Sequence, residues 1–165
     1  MLVSKLINIV SRTANWLAVT ALCAMFLHII FEIILRNFFD KSTFVLDEFV
    51  GYAVSAMAFL ALGETFRNGA LIQVSLVRDA VSERWRLYLD MFGNVAAGFV
   101  GIMLFYFIGR SVLKNISRGT LSSSVAEVPQ FIPEGIVWIG VAVFVLRVVE
   151  AVWHTGVRIR SGESQ

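Results

Sequence analysis

Apolar residues along this chain are concentrated in four long blocks that short polar stretches separate. The blocks lie near residues 14–35, 49–66, 85–108 and 132–153. A bilayer core about 30 Å thick needs about 20 apolar residues in a helix, because unpaired backbone amides are costly in lipid. The pattern therefore predicts an all-α integral membrane protein with four transmembrane helices, forming one domain over residues 1–165.

The residues ahead of the first block are also largely apolar. Six of them are spaced for one helical face: Leu2, Val3, Leu6, Ile7, Ile9 and Val10. Two interpretations stay open, an amphipathic helix lying on the membrane surface and a direct extension of the first span. The run from Ala14 to Leu35 exceeds the roughly 7–15 apolar residues of a cleavable signal, so we expect an uncleaved first helix.

The overall composition supports a membrane protein over a nucleic-acid-binding one. Hydrophobic residues make up 58% of the chain and charged residues 16%, against about 25% charged residues in soluble proteins. The formal net charge is only +2, and the basic residues lie between the apolar blocks instead of forming one patch. Membrane topology explains such a distribution better than a nucleic-acid interface does.

The basic residues predict which side of the membrane holds the termini. Four spans put both termini on one side, with eight basic residues: Lys5, Arg12, Arg67, Arg78, Arg84, Arg86, Arg158 and Arg160. Five lie on the other side: Arg36, Lys41, Arg110, Lys114 and Arg118. The positive-inside rule then favours cytoplasmic termini. We also expect an aromatic belt at the cytoplasmic boundary, formed by Trp16, Trp85 and Trp153.

Oppositely charged residues lie three or four positions apart at three places in the predicted helices. The pairs are Glu32 with Arg36, Glu64 with Arg67, and Arg147 with Glu150. Such spacing puts both partners on one helix face, and we expect all six side chains to lie near the membrane interface. Structural pairing or subunit contact is one interpretation, and a transport role is the other.

No cofactor, metal or catalytic site is predicted. Cys23 is the only cysteine, which excludes an internal disulfide. His28 lies deep in the first predicted helix and His154 at the end of the fourth, so they are not placed for bis-histidine haem ligation. We expect His28 to be a core residue hydrogen-bonded to a neighbouring helix.

Small residues recur at four-residue intervals in two of the predicted helices. Gly93, Ala97 and Gly101 do so in the third, and Gly51 and Ser55 in the second. Such faces let helices approach closely in lipid, where no hydrophobic force drives them together. Packing within the bundle and contact with another subunit are both open interpretations.

Four short motifs, in this order, resemble the small membrane subunit (DctQ type) of tripartite ATP-independent periplasmic (TRAP) transporters. They are ILRNFF at 34–39, LDEF at 46–49, FRNGALIQVSLV at 66–77 and VPQFIPEGI at 128–136. The family pattern after helix two usually carries a His and an Arg. Here Leu71 and Gln73 stand at those positions, so a charged role for this segment is not expected.

The resemblance implies a non-catalytic scaffold in the bacterial inner membrane. Its expected partners are a large permease subunit, which holds the substrate and sodium sites, and a periplasmic binding protein that delivers an organic acid anion. The family motifs include Arg36 and Glu48, which we expect to be central to the partner interface and to pair across the 37–47 connection. Residues 71–77 are expected to form an interfacial segment after a turn at Asn68-Gly69.

The alternative function is an autonomous small exporter that works as an oligomer. In that case Glu32 would be the coupling carboxylate.

Overall fold

The computed structural model describes residues 2–69 and 83–161 of the chain. This part contains four α-helices: α1 (Leu2–Phe39), α2 (Leu46–Arg67), α3 (Glu83–Arg118) and α4 (Phe131–Ser161). Each is long and apolar enough to cross a membrane. The predicted all-α, multi-pass membrane architecture is therefore confirmed.

The helices differ in length more than the apolar blocks suggested. With 22 residues, α2 is about 33 Å long and matches the hydrocarbon core, whereas α1 has 38 residues, α3 has 36 and α4 has 31. α1 is continuous from Leu2 through the predicted start of the first span. Of the two interpretations of the N-terminal residues, the structure therefore shows the extension of the first span.

Three of the helices form a mutually packed core, and the fourth is attached to its side. α1, α2 and α4 each contact the other two, whereas the main packing of α3 is against α4. Two connections between helices, at residues 40–45 and 119–130, lie at one end of the bundle, hereafter the outer end. The beginnings of α1 and α3 and the ends of α2 and α4 lie at the opposite, inner end.

The buried side of α1 follows a seven-residue repeat. Ser11, Ala14, Ala18 and Glu32 are buried on it, at spacings of three, four and fourteen residues. The two alanines bring α1 close to α2 and α4, and they join the central apolar cluster of Ala56, Leu60 and Val143. Small residues at this face suit close helix approach in lipid.

At Gly140, α4 approaches α2 very closely. A Cβ atom there would lie 2.6 Å from the carbonyl carbon and oxygen of Phe59 on α2, so the two backbones are nearly in contact. Gly140 has no small residue four positions away on either side, so it belongs to no small-residue repeat that the sequence would reveal.

The predicted small-residue face of α3 is only partly used within the chain. Gly101 is buried, and a Cβ there would lie 3.1 Å from the Phe144 ring on α4. Ala97 is half-buried, whereas Gly93 is exposed and has no atom within 4 Å of a Cβ. Gly51 of α2 is likewise exposed, with open space beside it. The packing of α3 on α4 thus involves only the outer part of the predicted face.

The predicted turn after α2 forms at Gly69. Its φ is +63°, and its amide donates to the Phe66 carbonyl at 3.1 Å, as in a glycine helix cap. Asn68 has an ordinary negative φ of −80°, so one residue provides the left-handed conformation. The interfacial segment predicted at 71–77 lies outside the described residues.

The connection between α3 and α4 is shorter than predicted, because α3 continues to Arg118. Backbone hydrogen bonds fold it onto itself, from the Ser122 amide to the Val128 carbonyl at 2.9 Å and from the Gln130 amide to the Thr120 carbonyl at 3.0 Å. This compact loop covers the outer end of the bundle.

Candidate functional site

The carboxylate of Glu32 holds the connection between α1 and α2. Its side chain is only 1% exposed. It accepts hydrogen bonds from Arg36 Nε at 2.9 Å, from the Thr43 amide at 3.2 Å, from the Thr43 hydroxyl at 2.7 Å and from the Ser42 hydroxyl. The predicted Glu32–Arg36 pair is confirmed, and it belongs to a larger arrangement that we call the outer clamp (Glu32, Arg36, Ser42 and Thr43).

Next to the outer clamp, the backbone takes up a conformation that side chains disfavour. Phe44 has a φ of +58° and Asp40 a φ of +50°, both in the left-handed region. An aromatic residue rarely adopts this conformation, and its cost is of the order of 1–3 kcal/mol. The Phe44 amide donates to the Ser42 hydroxyl at 3.2 Å, so the hydrogen bonds of the clamp help to offset that cost.

Glu48, in the first turn of α2, makes the second set of contacts at the outer end. It accepts hydrogen bonds from Tyr52, one turn further along α2, and from Ser124 in the 119–130 loop. Arg36 instead donates to Glu32 and, at 3.2 Å, to Ser42. Arg36 and Glu48 therefore do not pair with each other, contrary to the prediction, because each has a hydrogen-bond partner on its own helix.

A second polar cluster connects three helices nearer the inner end. Glu64 of α2 accepts hydrogen bonds from Ser11 of α1 and from Arg67, both at 2.9 Å. Arg147 of α4 pairs with Glu150 at 2.8 Å, and its Nη2 lies 3.8 Å from Glu64 Oε2. The predicted Glu64–Arg67 and Arg147–Glu150 pairs are both confirmed. Together with Ser11 they form one unit, hereafter the inner cluster.

Arg147 is the most buried charged residue of the inner cluster. It is 3% exposed and lies well inside α4, which continues to Ser161. That all six paired side chains lie near the membrane interface stays a prediction, and the contact of Arg147 with Glu64, three residues before the end of α2, agrees with it. Its Nη1 donates to Glu150, whereas within the described residues its Nε and Nη2 have no hydrogen-bond partner and Glu64 compensates its charge by proximity alone.

The comparison with known protein families agrees with this architecture. Residues 25–156 match the family described as "Tripartite ATP-independent periplasmic transporters, DctQ component". The chain belongs to the DctQ family. The match covers the outer clamp, Glu64, Arg147 and all of the four-helix core except the beginning of α1 and the end of α4. No curated protein and no solved structure matches the chain.

Membership of the DctQ family makes this chain a small permease subunit of a TRAP transporter, as the sequence motifs indicated. The family is a transporter component and not a family of enzymes. In the described residues, no group of three or more His, Cys, Asp or Glu side chains is placed to bind a metal ion.

In this DctQ chain, His28 makes an aromatic contact where a hydrogen bond was predicted. Its ring stacks on Phe49 of α2, with centroids 5.9 Å apart and an interplanar angle of 17°. Its Nε2 is buried without a hydrogen-bond partner in the described part of the chain. His28 therefore contributes to the α1–α2 contact through its ring face.

Trp16 and Trp153 of this DctQ chain lie at different levels along the bundle. Ser11 and Arg147 both contact Glu64 and so lie at a similar level. Trp16 is five residues from Ser11 towards the outer end, and Trp153 is six residues from Arg147 towards the inner end. Eleven residues correspond to about 16 Å along a helix axis, which is too far apart for one narrow belt. Trp16 and Trp153 therefore do not form one belt, contrary to the prediction that grouped them with Trp85.

Proposed function

We propose that this DctQ-family chain is a non-catalytic scaffold for the large permease subunit of its transporter. In this proposal, the large subunit holds the substrate and sodium sites. A periplasmic binding protein delivers an organic acid anion, and uptake depends on sodium. The chain lies in the bacterial inner membrane with both termini in the cytoplasm.

One observation carries the proposal: the carboxylates of the outer clamp, of Glu48 and of the inner cluster connect helices and loops of this chain. Glu32 fixes α1 to the α1–α2 connection, Glu48 fixes α2 to the 119–130 loop, and Glu64 connects α1, α2 and α4. A coupling carboxylate must exchange protons or ions during transport, whereas these groups are engaged in fixing the positions of the helices. Such an arrangement suits a rigid support.

The same observation argues against the autonomous exporter. Its proposed coupling residue, Glu32, is buried and accepts hydrogen bonds from three residues of the chain itself. Release of Glu32 for ion coupling would break the α1–α2 connection. The scaffold interpretation requires no such rearrangement.

The surface around Arg36 and Glu48 and the inner part of α3 are the proposed contacts with the large subunit. α3 packs mainly on α4 and leaves much of its apolar surface exposed, including Phe92 and Phe99. Arg36 is 58% exposed at its side chain, so it can contact a partner while it remains bonded to Glu32. Gly93, which is open to the outside, can accept close approach of a partner helix.

Reconstitution in liposomes tests the proposal. The chain is inserted alone, with the large permease subunit, or with that subunit and the binding protein, and uptake of labelled organic acids is measured under a sodium gradient. We expect uptake above empty vesicles only in the complete system. Saturable uptake by the chain alone would refute the scaffold proposal.

A second measurement addresses the interface itself. Arg36→Ala and Glu48→Ala are each co-expressed with the large subunit, and the yield of the complex is compared with that of Lys41→Ala, an exposed residue of the same connection. We expect lower yields for the first two variants only. Equal yields for all three would show that this part of the outer end is not a contact.

A further inference from the structure

Three cationic side chains form a row on the outer third of α3. Arg110, Lys114 and Arg118 follow one another at four-residue intervals, which places them on one helix face. All three are exposed, and within the described residues their side chains form no ion pair or hydrogen bond. Together with Phe107 and Ser111 they line an open cleft of about 530 Å³. The acidic side chains of the outer clamp and the inner cluster, by contrast, have partners within the chain.

The row starts at the outer end of the bundle and continues inwards. Arg118 is the last residue of α3, and nearby Asn115 donates to Glu134 in the first turn of α4 at 2.9 Å. Arg110 lies eight residues before Arg118, about 12 Å deeper along the helix axis. A cation at this depth on an outward-facing surface is costly unless it reaches the headgroups or meets an anion.

The shape of the cleft indicates how such an anion is held. All five lining residues come from α3, so the cleft has a wall on one side only. Sites for small free ligands usually enclose most of the ligand surface, and this cleft does not. A phospholipid does not need such an enclosure, because the membrane supplies it at high local concentration and its acyl chains pack on exposed apolar side chains such as Phe107 and Leu113.

We propose that the row of Arg110, Lys114 and Arg118 binds the phosphate of an anionic phospholipid at the outer end of α3. Arginine offers paired N–H donors that match phosphate oxygens, and lysine adds a point charge between the two arginines. The acyl chains lie along α3 towards Phe107. This site is independent of the proposed scaffold function, and its failure would leave that function unaffected.

Native mass spectrometry of the full chain in detergent tests the site. The chain is titrated with phosphatidylglycerol and, separately, with phosphatidylcholine, and bound lipid is counted. We expect a saturable phosphatidylglycerol site that phosphatidylcholine does not fill. Because each cation near a membrane surface contributes on the order of a factor of five, Arg110→Gln/Lys114→Gln/Arg118→Gln should bind about 100-fold more weakly.

Two control variants separate the row from total charge and from misfolding. Lys5→Gln/Arg12→Gln/Arg160→Gln removes the same charge at the inner end and should leave the α3 site intact. Arg110→Lys/Arg118→Lys keeps the charge and should bind within a few-fold of the original chain. Circular dichroism and elution volume establish that each variant is folded.

Three outcomes would overturn the proposal. The first is unchanged phosphatidylglycerol binding in the glutamine variant of the row. The second is full displacement of the lipid by millimolar inorganic phosphate, which would make this a site for free anions. The third is unchanged lipid binding together with loss of the complex with the large subunit, which would assign the row to acidic residues of that partner.

Discussion

Glu32 of α1 and Thr43 of the α1–α2 connection are joined by two hydrogen bonds, from the Thr43 amide at 3.2 Å and from its hydroxyl at 2.7 Å. A residue of a membrane helix thus fixes a loop that is eleven positions further along the chain. The loop has two residues with positive φ beside this contact, at Asp40 and Phe44. We therefore expect the stability of the outer end to depend on the Glu32 carboxylate.

Replacement of Glu32 by Gln should destabilise the isolated subunit by about 2–3 kcal/mol. Glutamine has one acceptor oxygen, and its amide nitrogen would face donors from Thr43 or Ser42 that then lack an acceptor. The free energy of unfolding is measured by denaturant titration in detergent micelles. Arg36→Gln is the control, and because that side chain is largely exposed it should cost about 1 kcal/mol or less. Equal losses in both variants would mean that the ion pair, and not the loop contact, matters.

Phe44 and Phe38 offer a test of backbone strain, because both side chains are 78% exposed. Phe44 has a φ of +58°, whereas Phe38 lies in helix α1. At Phe44, glycine should be more stable than alanine by about 1 kcal/mol, because only glycine tolerates the left-handed region without cost. At Phe38 the order should reverse by a similar amount. Thermal melting of the four variants checks this, and the same order at both positions would contradict it.

The sequence predicted the four spans because each needs only length and hydropathy. It also predicted three ion pairs correctly, because spacing of three or four residues along a helix determines which side chains meet. The partners of Glu48 could not all be predicted from spacing along one helix. One of them, Ser124, is 76 residues away, and its position depends on how the 119–130 loop folds over the outer end.

The inner cluster and the glycine contacts could not be predicted from the sequence for the same reason, because they join residues that are far apart in the chain. Nothing along the chain relates Ser11 to Glu64 or Arg147, because the relative shift of three helices determines that contact. Periodic small residues indicated a face at Gly93, Ala97 and Gly101, yet it is the isolated Gly140 whose Cβ would meet the backbone of another helix. The spacing of side chains is a property of a single helix, whereas the contact between two helices depends on the point at which they cross.

Arg147 provides a test of how strongly the inner cluster is coupled. Arg147→Met should destabilise the subunit by about 3–5 kcal/mol, because it leaves Glu150 without its buried counter-charge and Glu64 with only the more exposed Arg67. Addition of Glu64→Gln and Glu150→Gln to this variant should restore much of the loss, since a neutral, packed cluster avoids the unpaired charges. Unfolding free energies of the single, double and triple variants give the coupling. Purely additive losses would show that the three residues do not act together.

The glycines of α3 and α4 provide a test of helix packing. At Gly140 a Cβ would lie 2.6 Å from backbone atoms of Phe59, and backbone cannot move aside as a flexible side chain can. Gly140→Ala should therefore separate α2 from α4 and cost about 1–3 kcal/mol, as overpacking of a close contact usually does. At Gly93 a Cβ meets nothing within 4 Å, so Gly93→Ala should be neutral or stabilising by about 0.5–1 kcal/mol through helix propensity.

The half-buried Ala97 distinguishes packing within the chain from packing against the large subunit. If Ala97→Leu lowers the stability of the isolated subunit in detergent, α3 needs the whole small-residue face against α4. If the isolated variant melts like the original chain while the complex with the large subunit dissociates, the part of the face near Gly93 belongs to the partner. We expect this second result together with a clear loss for Gly140→Ala, because Gly93 is open to the outside whereas Gly140 is in contact with α2. An unchanged complex and an unchanged melting temperature for Ala97→Leu would show that this part of α3 faces lipid.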